Sequence, residues 1–101
     1  MRDPSSIRIL VYGLDADLQM TRVMLLTEAG YLVDSADDWV ECKTHLNRND
    51  YSLVILCHTV SEEEQKDCEA LALDKRIRLY TLASAIAPQD FMRQIAEFLS
   101  L

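Results

Sequence analysis

Hydrophobic residues in this chain gather in short blocks separated by stretches with helical spacing. The densest block, Leu53-Val54-Ile55-Leu56-Cys57, contains no polar residue. Such a run, with its β-branched residues, fits a strand covered on both faces, as in the middle of a parallel sheet. Ile7-Arg8-Ile9-Leu10-Val11-Tyr12 has the same character and ends at Gly13. Residues 31–35 are half polar, as suits a strand near an edge, and residues 76–82 alternate charge with bulk as a fourth strand.

The intervening segments carry helix punctuation. Asp15 or Asp17 can cap a first helix over about 18–29, because a carboxylate accepts bonds from the free N–H groups of a first turn. Gly30 then supplies the left-handed residue that ends it. Asp37 or Asp38 starts a second helix to about residue 48, and Asn49-Asp50 turns the chain into the central strand. Ser61-Glu62-Glu63-Glu64 is a capping box opening a third helix to about residue 74, with its acids well placed on the helix dipole. Pro88 opens a last helix at its first turn, where a missing N–H costs nothing. Phe91, Ile95, Phe98 and Leu99 give that helix an apolar face. Strict β-α alternation predicts an α/β fold: a three-layer, doubly wound parallel sheet with right-handed crossovers. One domain over residues 1–101 is expected.

Composition narrows the function. With 17 acidic against 10 basic side chains, the net charge of −7 disfavours a nucleic-acid binder and an anionic membrane surface. No apolar run approaches the length that spans a bilayer, and the first residues show no signal-peptide pattern. Three cysteines without paired spacing suit a reducing compartment, so a cytoplasmic protein is expected.

The order and spacing of several short motifs resemble the receiver domain of two-component response regulators. Ile9-Leu10-Val11 is similar to the receiver's first strand, and Glu28-Ala29-Gly30-Tyr31 to its first helix end. Asp34-Ser35-Ala36-Asp37-Asp38 resembles the turn into its second helix, and Asp50 through Leu56 the approach to its phosphoacceptor. Thr81 resembles the switch hydroxyl, and residues 88–99 the final helix. The resemblance implies a Mg²⁺-binding acidic pair after the first strand, but those positions hold Gly13 and Leu14, with only Asp15 beside them. Magnesium requires carboxylate oxygens of this kind. The phosphoacceptor position is Cys57, whose thiol cannot form an acyl phosphate. The receiver's lysine falls on Ser84 or Ala87, depending on which proline is aligned, and neither is basic. The connection from the fourth strand to the last helix is too short for another helix and strand. The expectation is therefore a flavodoxin/receiver-like sheet of about four strands, in the order 2-1-3-4, lacking the receiver's fourth helix and fifth strand.

Cys57-His58 is the most tempting reactive pair, a thiol and an imidazole at a strand end. Neighbouring strand residues point to opposite faces, however, and no basic residue lies close in sequence to activate the thiol. Cys42 and His45, one helical turn apart, match no familiar zinc pattern with Cys57, His58 or Cys68. No metal and no cofactor is expected. Aligning the first helix on Gly30 places Leu18, Thr21, Leu25 and Ala29 on the core, leaving Met20, Val23 and Met24 as an outer apolar stripe suited to a partner. In the fourth strand, Arg76, Arg78 and Tyr80 would line an unpaired edge that either repels other strands or joins a two-fold mate. The resulting expectation is a non-phosphorylatable pseudo-receiver that is not an enzyme and acts by protein–protein contact, with a homodimer as the expected assembly. The alternative is a small thiol-dependent enzyme or redox sensor using Cys57.

Overall fold

The computed structural model describes residues 6–82 and 86–100. Four parallel strands form one sheet in the order β2-β1-β3-β4. The two central strands are β1 (Arg8–Tyr12) and β3 (Leu53–Leu56), and the edges are β2 (Leu32–Ala36) and β4 (Arg78–Thr81). The central register pairs Ile9 with Leu53 and Val11 with Ile55. All four residues of β3 are buried, as its unbroken apolar run requires. The expected doubly wound α/β arrangement is therefore present.

Helices α1 (Ala16–Glu28), α2 (Trp39–Arg48), α3 (Glu62–Asp74) and α4 (Pro88–Leu99) alternate with the strands. Their starts follow the polar signals. Asp15 accepts from the N–H groups of Asp17 and Leu18, each at 3.1 Å. Asp38 accepts from Glu41 at 2.7 Å, and the Ser61 hydroxyl accepts from Glu64 at 3.3 Å. Ala87, one aligned position for the receiver lysine, is the N-cap of α4 and makes no side-chain cap bond. Ser84, the other, lies outside the described residues, as does part of the short connection before α4.

Period-two alternation divides the strand side chains between two cores. Ile9, Val11, Leu53, Ile55 and Cys57 face α1 and α4, where Leu26, Phe91 and Ile95 complete the packing. Leu10, Tyr12, Val54 and Leu56 face α2 and α3, against Cys42, Leu46 and Cys68.

Two expectations require correction. Arg76 is not part of β4; it is a turn residue with φ of 60°. Its N–H donates to the Leu73 carbonyl, and the Ile77 N–H to the Ala72 carbonyl, closing α3 in a Schellman motif. Gly30, with φ of 101°, closes α1 through the same pair of bonds, from Gly30 to Thr27 and from Tyr31 to Leu26. An arginine carries no sequence signal for a left-handed turn, so the alternating pattern alone extends the strand over it.

The other correction concerns α1. Its buried residues are Gln19, Arg22 and Leu26, whereas Leu18 and Leu25 are half-buried and Thr21 and Ala29 exposed. The Gln19 amide explains the rotation: Nε2 donates to the Val11 carbonyl at 3.2 Å and the Ala36 carbonyl at 2.8 Å. A buried side-chain amide needs partners, and these two strand carbonyls supply them, so a polar residue can turn inward where hydropathy alone would put it outside.

Candidate functional site

The carboxyl ends of β1 and β3 meet under the first turn of α1, the place where open α/β sheets bind ligands. The Cys57 N–H donates to the Tyr12 carbonyl at 2.9 Å, and the Gly13 N–H to the Ala36 carbonyl at 3.2 Å. The two loops above them are tied by the Leu14 N–H donating to Thr59 Oγ1 at 2.8 Å. Gly13 lies so close to Cys57 that a β-carbon on it would sit 2.8 Å from Cys57 Cβ and 3.0 Å from Sγ. Only a residue without a side chain fits there.

Cys57 is 1% exposed. Burial pushes its thiol up, and the guanidinium of Arg22 opposes that rise without cancelling it. Arg22 is itself 5% exposed, with its guanidinium carbon 5.8 Å from the centre of the Phe91 ring. Sequence reasoning missed this neighbour because 35 residues separate Arg22 from Cys57 and its helix face was misassigned. Hydropathy offers no signal for an inward arginine.

His58 is half-buried, and its Nδ1 is enclosed without a hydrogen-bond partner among the described residues. Asp15 is engaged as the α1 cap. Thr81 sits exposed at the end of β4, in register with Leu56. In the opposite core the buried Cys42 thiol is pushed up by its interaction with Cys68 and by burial. Among the described residues, no group of three His, Cys, Asp or Glu side chains is placed to hold a metal ion.

No protein-family model matches the sequence, and none of the curated proteins matches it either. Solved structures do. A CheY-like response regulator receiver domain from Methanospirillum hungatei JF-1 superposes with a TM-score of 0.65 at 17% identity, over 93% of this chain and 94% of its own. Chemotaxis protein CheY4 of Vibrio cholerae gives 0.65 at 11% identity, over 90% and 97%. A de novo designed Rossmann 2x3 protein gives 0.69 at 16% identity, over 92% and 89%. The fold is that of CheY-like receiver domains. A designed protein shares it too, so any function must be argued from the residues the fold carries.

On this receiver fold the surface residues singled out from sequence fall in two places. Met20 and Met24 are exposed on α1, whereas Val23 is half-buried and packs on the α1/α4 core. The three line a groove of about 290 Å³ with Ala16, Gln19 and residues at the end of β2. At the other edge, Arg78 folds back onto α4, donating to the Phe98 carbonyl and lying 4.4 Å above its ring. Tyr80 packs edge-on against the same ring and hydrogen-bonds Gln94. Among the described residues, no helix is long and apolar enough to cross a membrane.

Proposed function

We propose that this chain is a non-phosphorylatable pseudo-receiver, a regulatory module of the cytoplasm that acts by binding protein. The observation that carries this reading is the contact between Gly13 and Cys57. By the resemblance, these are an acidic-pair position and the phosphoacceptor position. Here the first has no room for a carboxylate and the second is a buried thiol. A hard cation finds no oxygen cage, and an acyl phosphate has no carboxylate to form on. Incubation with Mg²⁺ and acetyl phosphate should leave the intact mass unchanged; an added phosphoryl group would overturn the reading.

Binding surface remains where the chemistry is gone. Met20 and Met24 are 64% and 56% exposed, and Leu32 on the β2 edge is 53% exposed. Flexible methionines on an open helix suit protein contact. The preferred assembly is a homodimer through the outer face of α1. The β4 edge is the less favoured surface, because Arg78 and Tyr80 are already committed to α4, although the N–H and C=O groups of Leu79 and Thr81 face away from β3 by strand alternation. Light scattering should find a dimer for the wild type and a monomer for Met24→Glu, since a charge buried in an apolar interface is strongly disfavoured. A dimer unaffected by the substitution would transfer the interface to the β4 edge, and a monomeric wild type would refute both.

Arg22 gives the thiol alternative its one favourable observation, a cation beside Cys57. Burial outweighs it, and alkylation should be slower than that of a free thiol. Faster reaction with iodoacetamide at neutral pH would favour the redox or enzymatic reading.

A further inference from the structure

Beyond protein contact, the structure holds a buried arginine that lies over the Phe91 ring without a matching anion among the described residues. Arg22 is 5% exposed and, among the described residues, no carboxylate lies within ion-pair distance of it. Buried guanidinium groups are ordinarily paired, because removing the charge from water is costly. Arg22 acts on the Cys57 thiol, but that thiol, pushed up by burial, brings no compensating negative charge. A core leucine or methionine would serve packing better.

The arginine lines a cleft of about 120 Å³ between α1 and α4, walled by Leu18, Leu25, Ile86, Pro88 and Phe91. The cleft abuts the start of α4, whose N-cap is Ala87, a residue whose side chain cannot cap the first turn. Uncapped N–H groups and the helix dipole add to the positive potential there. Asp90, the acid of that first turn, pairs with Arg93 at 3.1 Å. One cation and one open helix start thus face a small apolar chamber.

We propose that this cleft binds a short aliphatic monocarboxylate, with its carboxylate on Arg22 and its hydrocarbon tail against Leu25, Ile86 and Phe91. The chemistry favours that class over other anions. A guanidinium matches a carboxylate with two parallel bonds, and a single cation balances a single negative charge. Inorganic phosphate would bring more charge than one arginine balances and no apolar atoms for the walls. The space is far below that of drug-sized sites and holds roughly four water-sized bodies, which limits the ligand to a few carbons. A ligand this small should bind with a dissociation constant on the order of 1 mM.

The test titrates butyrate against the full chain, following thermal stability and backbone amide shifts, with sodium chloride and inorganic phosphate at matched ionic strength. Saturable stabilisation by butyrate alone, with shifts centred on Leu25 and Phe91, is expected. Arg22→Met keeps an apolar, similarly long side chain in the core and should weaken binding at least tenfold. Leu25→Trp leaves the arginine in place but fills the cleft, and should also abolish the effect. Equal stabilisation by chloride or phosphate would overturn the proposal. So would an absence of saturation, or retained binding in either folded variant.

Discussion

The two cores flanking the sheet are built to different rules. Between the sheet and α2/α3, the polar side chains at the margin are mutually engaged. Arg8 bonds the Asp34 carboxylate at 2.8 Å, the Tyr51 hydroxyl donates to the same carboxylate at 2.7 Å, and the Tyr12 hydroxyl donates to Glu64 at 2.6 Å. Between the sheet and α1/α4, polar groups enter the interior incompletely matched: Gln19 Oε1 has no partner, and Arg22 has no opposing carboxylate among the described residues. The first arrangement is what stability alone produces. The second breaks the rule that buried polar groups are matched, and natural proteins tend to break such rules where something other than stability is at stake.

If the difference is confined to polar groups, the apolar parts of the two cores should respond alike. Ile95 on α4 and Leu46 on α2 are 0% and 1% exposed. Truncating either to alanine should cost about 2–5 kcal/mol, the transfer energy plus the cavity left behind. Urea denaturation of Ile95→Ala and Leu46→Ala would show this. A much smaller loss at Ile95 would mean that the α1/α4 core is loosely packed throughout, which would dissolve the contrast.

Gly13→Ala probes the junction at which the unmatched core closes. A methyl group there meets Cys57 Cβ at 2.8 Å, a backbone-linked atom that cannot swing aside. The expected loss is about 1–3 kcal/mol, as for other overpacked sites. A neutral result would show that the strand ends can separate, reopening the room that the pseudo-receiver reading denies to a carboxylate.

Much of this architecture was legible in the chain, and the failures share a cause. The unbroken Leu53-to-Cys57 run and the Asp and Ser caps follow from local pattern, because apolar blocks and capping oxygens act within a few residues, whereas the strand order was implied by the resemblance to receivers. Gln19 and Arg22 turn inward for reasons located elsewhere: the carbonyls of Val11 and Ala36, and the ring of Phe91. A residue whose orientation is decided by distant partners leaves no periodic trace. The Cys57–Arg22 contact was invisible for the same reason, and with it the cation beside the thiol.

The matched core carries its own signature in pH. Burial, reinforced by donation to Asp34, pushes the Tyr51 hydroxyl up to about 12, against an ordinary value near 10. A raised pKa means that the stabilisation is complete below pH 10 and lost as the pH climbs to 12, a loss of about 2–3 kcal/mol. For Asp34, burial acts upward, but the bonds from Tyr51 and Arg8 outweigh it and hold the carboxyl below its usual value. That contribution is present above the ordinary carboxylate range and disappears as the pH falls through the lowered value. Comparing wild type with Tyr51→Phe between pH 9 and 12 isolates the alkaline limb, since any other tyrosine titrates in both proteins. Parallel curves would show that the hydroxyl is already solvated and the pair weak.

The smallest expected effect is a gain, and it separates the two layers at their helix ends. Helix α1 of the unmatched layer ends on Gly30, whereas α3 of the matched layer ends through the same motif on Arg76, at φ of 60°. A left-handed conformation costs an L-residue about 1–2 kcal/mol, because Cβ crowds the following carbonyl. Glycine removes that crowding but gives the unfolded chain more freedom to lose, about 0.5–1 kcal/mol. Arg76 is exposed, so little packing is lost with its side chain. Arg76→Gly should therefore stabilise the fold by about 0.5–1 kcal/mol, read as a higher urea midpoint with an unchanged slope. A lower midpoint would mean that the arginine makes a compensating contact, and that this layer, too, retains a residue for something other than its own stability.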